Sequence, residues 1–288
     1  MSIVVTGATG HLGRHVIAQL LERVPAEEIT AVVRDKAKGA GFAERGVRLA
    51  VADYNAPESF DGLFSAGDKV LLISGNEFDK GRVAQHQVVI DAAKAAGVAL
   101  LAYTSAPGTL TATLADDHRA TEEALLASGL PYSLLRNGWY HENYTENLAP
   151  VLAHDAVVTA AGEGRVSSAA RADYAAAAVA VLTGEGHENT TYELGGDAAW
   201  GFAEYAAELS ARTGRTISYQ SVSGETLKGI LAGAGLPDAL AEMLVGVDAS
   251  IARDELVVPG GELSRLIGRP TTPLAVAVEE GLKAAAAG

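Results

Sequence analysis

The chain, 288 residues long, contains no cysteine. That absence excludes disulfides, zinc–thiolate centres and a cysteine nucleophile, and it fits a reducing, cytoplasmic setting. Positive charge is also scarce: 22 Lys and Arg stand against 36 Asp and Glu, a formal net charge of −14. A surface this acidic repels phosphate backbones, so nucleic acid is not expected as a direct partner. No apolar run approaches the ~18 residues that a membrane-spanning helix needs, and no membrane association is expected. The richest stretch, 174–182, is short and dominated by alanine, and reads as a buried helix. There is no Gly-x-Ser-x-Gly elbow, no Walker loop and no His-Glu-x-x-His motif. Because the first strand pattern begins at Ile3, no signal peptide is expected ahead of it.

What the chain does have is a glycine-rich turn in a defined setting. The run Ile3-Val4-Val5 feeds Thr6-Gly7-Ala8-Thr9-Gly10-His11-Leu12-Gly13, which opens a helical pattern extending to about Arg23. Gly7 permits a tight turn, Gly10 lets the backbone approach a pyrophosphate, and Gly13 lets helix and strand pack closely. The helix start then turns N–H groups toward the phosphates. Residues 7 to 12 are therefore expected to bind a dinucleotide.

Residues 29–33 read as a second buried strand, ending at Arg34. An acidic residue about 20 positions beyond the glycines would bind the ribose 2′-hydroxyl of NAD. An arginine instead offers its fork to the 2′-phosphate of NADP. Arg34, with Lys36 and Lys38 nearby, favours NADP(H). Asp35 keeps the acidic alternative open.

Strand and helix patterns alternate through the first half. Further strands are expected at 47–51, 69–74, 99–105 and 131–136, and helices at 83–96 and 116–128, closed by Gly97 and Gly129. This alternation predicts an α/β fold with a Rossmann-type, doubly wound parallel sheet. Ligands bind at the carboxyl ends of such strands, here Gly7, Arg34, Asp53, Ser74, Thr104 and Asn137. After about residue 140 the pattern loosens. Short strands (156–160, 191–194, 216–220) mix with helices (172–182, 202–212, 225–232, 237–252), and the tail 284–288 is expected to fray. The organisation expected is an NADP(H)-binding domain over 1–150 and a smaller α/β substrate-facing lobe over 151–288, with segments exchanged between them.

Short-chain dehydrogenases carry a Tyr-x-x-x-Lys pair on the helix after the fifth strand, where the tyrosine protonates a developing alkoxide. Here that helix carries His118-Arg119-Ala120-Thr121-Glu122. Two readings stand. Glu122 could raise the His118 pKa and make His118 a proton or hydrogen-bond donor. Equally, the two could be a surface pair of little consequence. Two candidate ligands without a third make no metal site. Ser105, at the end of the fifth strand, could hydrogen-bond an acceptor oxygen. The missing tyrosine limits the reaction. Hydride addition to a ketone leaves a localised alkoxide that needs a strong donor. Addition to a quinone leaves a delocalised aromatic anion that solvent can protonate.

The segment Leu135-Arg136-Asn137-Gly138-Trp139-Tyr140-His141-Glu142-Asn143-Tyr144 follows the sixth strand. Asn137 and the Gly138 backbone could hold a nicotinamide carboxamide. Trp139 and Tyr140 offer flat faces for an aromatic acceptor, and Asn143 a hydrogen bond. The same cluster could instead anchor the second lobe. Ser74, Gly75 and Asn76 allow close approach to a ribose, with Phe78 placed to cover adenine or substrate.

These segments, together with Ala102-Tyr103-Thr104-Ser105, Tyr192-Glu193-Leu194 and Leu266-Ile267-Gly268, resemble the NmrA-like group of atypical short-chain dehydrogenases. Within it they are most similar to the bacterial NADPH:quinone oxidoreductases of type 2. The resemblance covers nearly the whole chain. It implies NADPH as cofactor, no flavin, and direct hydride transfer to a quinone. It also implies cofactor contacts from the loop 167–173 and an acceptor contact from Arg171. The group contains NADP sensors that barely catalyse, and reductases of azo compounds or alkenes. These remain the alternatives, and an oligomer is compatible with the resemblance.

Overall fold

The computed structural model describes residues 2–75, 81–108, 111 and 114–287. In chain order its elements are β1 (Ile3–Val5), α1 (His11–Leu20), β2 (Ile29–Val33), α2 (Ala40–Ala43), β3 (Arg48–Val51), β4 (Lys69–Leu72), α3 (Arg82–Ala96), β5 (Leu100–Ser105), α4 (Leu114–Ser128) and β6 (Tyr132–Asn137). Then follow α5 (Glu142–Thr145), α6 (Ala149–His154), β7 (Ala156–Thr159), β8 (Arg165–Val166), α7 (Arg171–Thr183), β9 (Thr190–Leu194), β10 (Trp200–Gly201), α8 (Phe202–Thr213), β11 (Ser218–Ser221), α9 (Gly224–Gly233), α10 (Asp238–Ala252), α11 (Glu262–Ile267) and α12 (Leu274–Ala287). Two compact units emerge. One contains 1–106, 116–137 and 171–192, and the other 107–115, 138–170 and 193–288. Segment 138–150, assigned on sequence to the first domain, thus groups with the second unit, and 171–192 groups with the first.

Unit 1 is built on a seven-stranded sheet in the order β3-β2-β1-β4-β5-β6-β9, with parallel pairing from β3 through β6. This is the Rossmann-type architecture expected from the alternation. Strand residues are apolar on both faces, as a parallel sheet covered by helices requires. Val4, Val70, Leu72, Leu101 and Tyr103 pack with Val89, Ile90 and Ala93 of α3 and Leu125 of α4. On α1, Leu12, Val16, Ile17 and Leu20 form the buried stripe, and α1 packs on α7. The helix ends at Leu20, earlier than its pattern predicts, where the chain tightens into three-residue turns: Glu22 N–H donates to Gln19 O and Arg23 N–H to Leu20 O. Strand β4 is two residues shorter than expected. Beyond Leu72 the backbone bonds side chains instead: Ile73 N–H donates to Thr6 Oγ1 and Ser74 N–H to Thr104 Oγ1.

Unit 2 contains two small pairings, β7 with β11 in parallel and β8 with β10 antiparallel. The tail does not fray where expected. Its alanines carry α12 to Ala287, as their high helix propensity favours. Among the described residues no helix is long and apolar enough to cross a membrane, and no group of three or more His, Asp or Glu could hold a metal ion.

Candidate dinucleotide site

Parallel pairing brings the carboxyl ends of β1 to β6 to one edge of unit 1. Gly7 follows β1 with φ +61°, a left-handed conformation that favours glycine. Its carbonyl accepts the Gly10 N–H at 2.9 Å. A Cβ on Gly10 would lie 3.2 Å from that carbonyl, and one on Gly13 only 2.4 Å from it. The three glycines therefore let the loop backbone close up on itself and on a ligand. The first turn of α1 has no side-chain cap and no acidic residue, an arrangement suited to a phosphate. Gly7, Gly10 and His11 are exposed and Thr9 is half-buried, while Ala8 and Leu12 turn their side chains into the core.

Arg34 stands exposed directly after β2, close enough for its charge to act on Tyr54. Asp35 is drawn away from the acidic alternative. Its Oδ1 accepts the Ala37 N–H at 2.8 Å and caps the short turn Lys36–Gly39. Asp53, two residues beyond β3, accepts hydrogen bonds from Asn55 N at 2.9 Å and Nδ2 at 3.2 Å. Its neighbour Tyr54 carries no signal in the sequence, yet ties strand ends together. The hydroxyl lies 2.5 Å from Thr6 Oγ1 and donates to Ile73 O at 2.8 Å. Burial pushes its pKa up, so it remains a donor.

At the end of β4, Ser74 is half-buried and its N–H donates to Thr104 Oγ1 at 2.9 Å, while Gly75 N–H donates to His86 Nε2 at 2.9 Å. Thr104 itself is 2% exposed and its hydroxyl donates to Ser74 Oγ. It supports the turn from behind and is not placed to touch a ligand, contrary to its expected role. Asn76 and Phe78 lie outside the described residues.

The expectation for His118 is corrected. His118 and Glu122 share a face of α4, but both are buried and they take different partners. Arg82 Nη2 donates to His118 Nε2 at 2.7 Å, so the ring proton sits on Nδ1 and donates to the Tyr103 hydroxyl at 2.8 Å. Desolvation, seconded by the Arg82 charge, holds the His118 pKa down at about 2. The ring is neutral at pH 7 and is neither an imidazolium donor nor a surface group. Glu122 accepts Arg136 Nε at 2.9 Å and Nη2 at 2.6 Å, together with the Ser105 hydroxyl at 2.5 Å. The one hydroxyl proton of Ser105 is thus engaged in a hydrogen bond to Glu122. Toward a ligand it can accept but not donate, which reverses the role expected of it.

Asn137 closes β6 and is buried, and its Oδ1 has no hydrogen-bond partner among the described residues. Leaving a buried acceptor unpaired costs about 1–3 kcal/mol, and a ligand amide would satisfy it. The Gly138 N–H is already bonded to Leu194 O at 2.7 Å, so the expectation that this amide holds a carboxamide fails.

In unit 2, Trp139 and Tyr140 are half-buried and Asn143 is exposed. Trp139 shares a side-chain hydrogen bond with Tyr144, whose ring stands edge-on to Trp200 at 5.4 Å and Phe202 at 5.3 Å. His141, missed on sequence, pins this segment. Its Nε2 donates to Thr272 O at 2.9 Å, and its Nδ1 accepts the Ser168 hydroxyl at 2.8 Å. Trp200 Nε1 donates to the same Ser168 oxygen at 2.8 Å. These partners are distant in sequence, so no local spacing reveals them. Serines 167 and 168 are buried. Arg171, expected at the acceptor, opens α7 in unit 1 and is 9% exposed.

A glycine-lined cradle after β1, an arginine after β2 and an unsatisfied amide at the end of β6 fit the phosphates, 2′-phosphate and carboxamide of NADP(H). Fold and site together define a Rossmann-type dinucleotide-binding protein. The chain belongs to the NAD(P)H-binding family, whose model matches residues 7–185. It is 45% identical over 278 residues to quinone oxidoreductase 2 of Escherichia coli, covering 96% of this chain and 97% of that one. The crystal structure of the E. coli NADPH-dependent quinone oxidoreductase complexed with NADPH superposes with a TM-score of 0.93, covering 96% of this chain and 99% of that chain at 45% identity. The triphenylmethane reductase of Citrobacter sp. complexed with NADP(H) also gives 0.93, at 40% identity, covering 97% and 100%. An NmrA-like family domain-containing oxidoreductase of Aspergillus flavus is 28% identical over 97% of this chain and 94% of its own, in keeping with the resemblance read from the motifs.

Proposed function

We propose that this chain is a flavin-independent, NADPH-dependent reductase of quinones. The observation that carries the reading is the lack of an available acid at the end of β5 among the described residues. His118 is neutral and buried, the Thr104 hydroxyl donates to Ser74, and the Ser105 hydroxyl donates to Glu122. Such a site suits an acceptor whose reduced form carries its own negative charge, as a hydroquinone anion does by delocalisation, with solvent completing the protonation.

The cofactor, when bound, supplies the hydride. The chain's residues bind and orient. The 7–13 loop and the start of α1 take the pyrophosphate. Arg34 takes the 2′-phosphate and so selects NADPH. Asn137 Oδ1 accepts the carboxamide N–H and fixes the nicotinamide ring. Trp139 and Tyr140 offer faces against which an aromatic acceptor stacks. The kinship with a triphenylmethane reductase supports a breadth of flat, conjugated acceptors. With its net charge of −14 the protein acts on small molecules rather than nucleic acid, and its lack of cysteine suits the cytoplasm.

The test is an anaerobic assay of NADPH oxidation against quinones, ketones, azo and triphenylmethane dyes, without flavin. Turnover with quinones and none with simple ketones is expected. Tight NADPH binding with no turnover on any acceptor would make the chain a cofactor sensor instead.

A further inference from the structure

Both amide protons of the turn that ends β4 are taken by side chains, Ser74 N–H by Thr104 Oγ1 and Gly75 N–H by His86 Nε2, each at 2.9 Å. A backbone N–H only donates, so His86 Nε2 is unprotonated. The ring proton therefore sits on Nδ1 and donates to Thr121 Oγ1 at 2.9 Å, whose own hydroxyl donates to Asp117 O at 2.8 Å. His86 is fully buried, and desolvation holds its pKa down at about 3, so this acceptor persists at neutral pH. The inner side of the turn is filled: a Cβ on Gly75 would come within 3.0 Å of Gln85 Oε1. Ile73 O already takes the Tyr54 hydroxyl and Ser74 Oγ the Thr104 hydroxyl, while the carbonyl oxygens of Ser74 and Gly75 accept no hydrogen bond among the described residues and stand as the acceptors for a ligand. Such a surface suits a sugar hydroxyl and not a phosphate, which needs donors.

Sheet order says which sugar. Strand β1 lies between β2 and β4, so Arg34 is on one side of the phosphate cradle and the Ser74–Gly75 turn on the other. A dinucleotide with its 2′-phosphate at Arg34 and its pyrophosphate at the cradle brings the nicotinamide ribose to this turn. We propose that His86 is a positioning residue for the nicotinamide ribose: by holding the Gly75 N–H it makes the β4 end an acceptor surface for the ribose hydroxyls. The proposal rests on the NADPH reading above.

The test compares wild type, His86→Leu and His86→Gln by equilibrium titration with NADPH and with 2′,5′-ADP, which lacks the nicotinamide half. His86→Leu should raise the NADPH Kd about 3- to 10-fold, the worth of one hydrogen bond, and leave that of 2′,5′-ADP unchanged. His86→Gln, which keeps an acceptor near the Nε2 position, should restore most of the loss. Unchanged NADPH affinity in His86→Leu overturns the proposal, as does a Gln variant no better than Leu. If His86→Leu loses both ligands through general damage, His86→Gln decides: wild-type affinity for 2′,5′-ADP with NADPH affinity close to wild type sustains the proposal, and parallel losses overturn it. A wild type that binds neither ligand refutes the NADPH reading itself, and this inference with it.

Discussion

Ser105 donates its hydroxyl proton to Glu122 across 2.5 Å, while the same carboxylate grips Arg136 through both oxygens. The serine at the end of β5 is thereby an acceptor, and the glutamate on α4 is structural. Ser105→Ala should therefore keep most quinone turnover. Glu122→Ala leaves the part-buried Arg136 without its carboxylate, and should cost about 2–4 kcal/mol of stability in urea unfolding. A Ser105→Ala variant that is folded, binds NADPH and is dead would show that the hydroxyl does chemistry after all.

Coenzyme choice should hinge on Arg34. Losing a charge-assisted contact costs about 1.5–3 kcal/mol, so Arg34→Ala should weaken NADPH roughly 10- to 150-fold and NADH far less. Equal losses for both coenzymes would demote Arg34 to a loop residue.

Two glycines of the cradle should fail differently. Gly10 is exposed and has φ −71°, which any residue adopts, and a Cβ there would press on Gly7 O only at 3.2 Å, so Gly10→Val should block NADPH while lowering Tm far less than a change at Gly13. On Gly13 a Cβ would meet Gly7 O at 2.4 Å and Ala8 Cα at 2.7 Å, both backbone. Gly13→Ala should accordingly lower Tm as well as affinity. Thermal melts beside NADPH titrations separate the two cases.

His118→Ala should retain substantial quinone turnover, since the neutral ring is no acid. Trp139→Ala should lose more, because stacking and orientation go, an aromatic pair being worth about 0.5–1.5 kcal/mol beyond its area. The order of the two effects is the measurement, with circular dichroism and NADPH affinity as controls. The reverse order would restore His118 as an acid or orienting group.

Stability should fall as pH drops below about 6.5. His118 and His86 have folded pKa values near 2 and 3, well below their ordinary 6.5. In that window the unfolded chain binds two protons that the folded chain refuses, and each favours unfolding by about 1.4 kcal/mol per pH unit. Asp248 opposes them. Burial raises its carboxyl from 3.8 to about 6, so the folded state holds a proton that the unfolded state has released. His187, lowered by burial and by the Lys69 charge, and Glu255, held down at about 2 chiefly by its hydrogen bond from Arg253, add to the histidine side. The net slope between pH 4 and 6 should be about one proton or more. His118→Gln should reduce it by about one proton in urea titrations at stepped pH, and an unchanged slope would mean that His118 titrates normally in the fold.

Much of this protein was written in local sequence. The glycine spacing after Ile3-Val4-Val5, the alternation of β-branched runs with helical stripes and the arginine after β2 are short-range patterns. Turn sterics and the periods of helix and strand act within a few residues, so the sheet and its phosphate cradle could be read before any contact was known. Side-chain chemistry at the same strand ends could not. His118 and Glu122 stand four apart on α4, and helical spacing alone pairs them. Packing instead gave His118 to Arg82 and Tyr103, and Glu122 to Arg136 and Ser105. The Gly138 amide went to Leu194, and the Gly75 amide to His86. Protonation and donor capacity follow from desolvation and from partners brought in by the fold. Only the tertiary structure decides which groups are buried together, and so which strand-end atoms remain for a ligand.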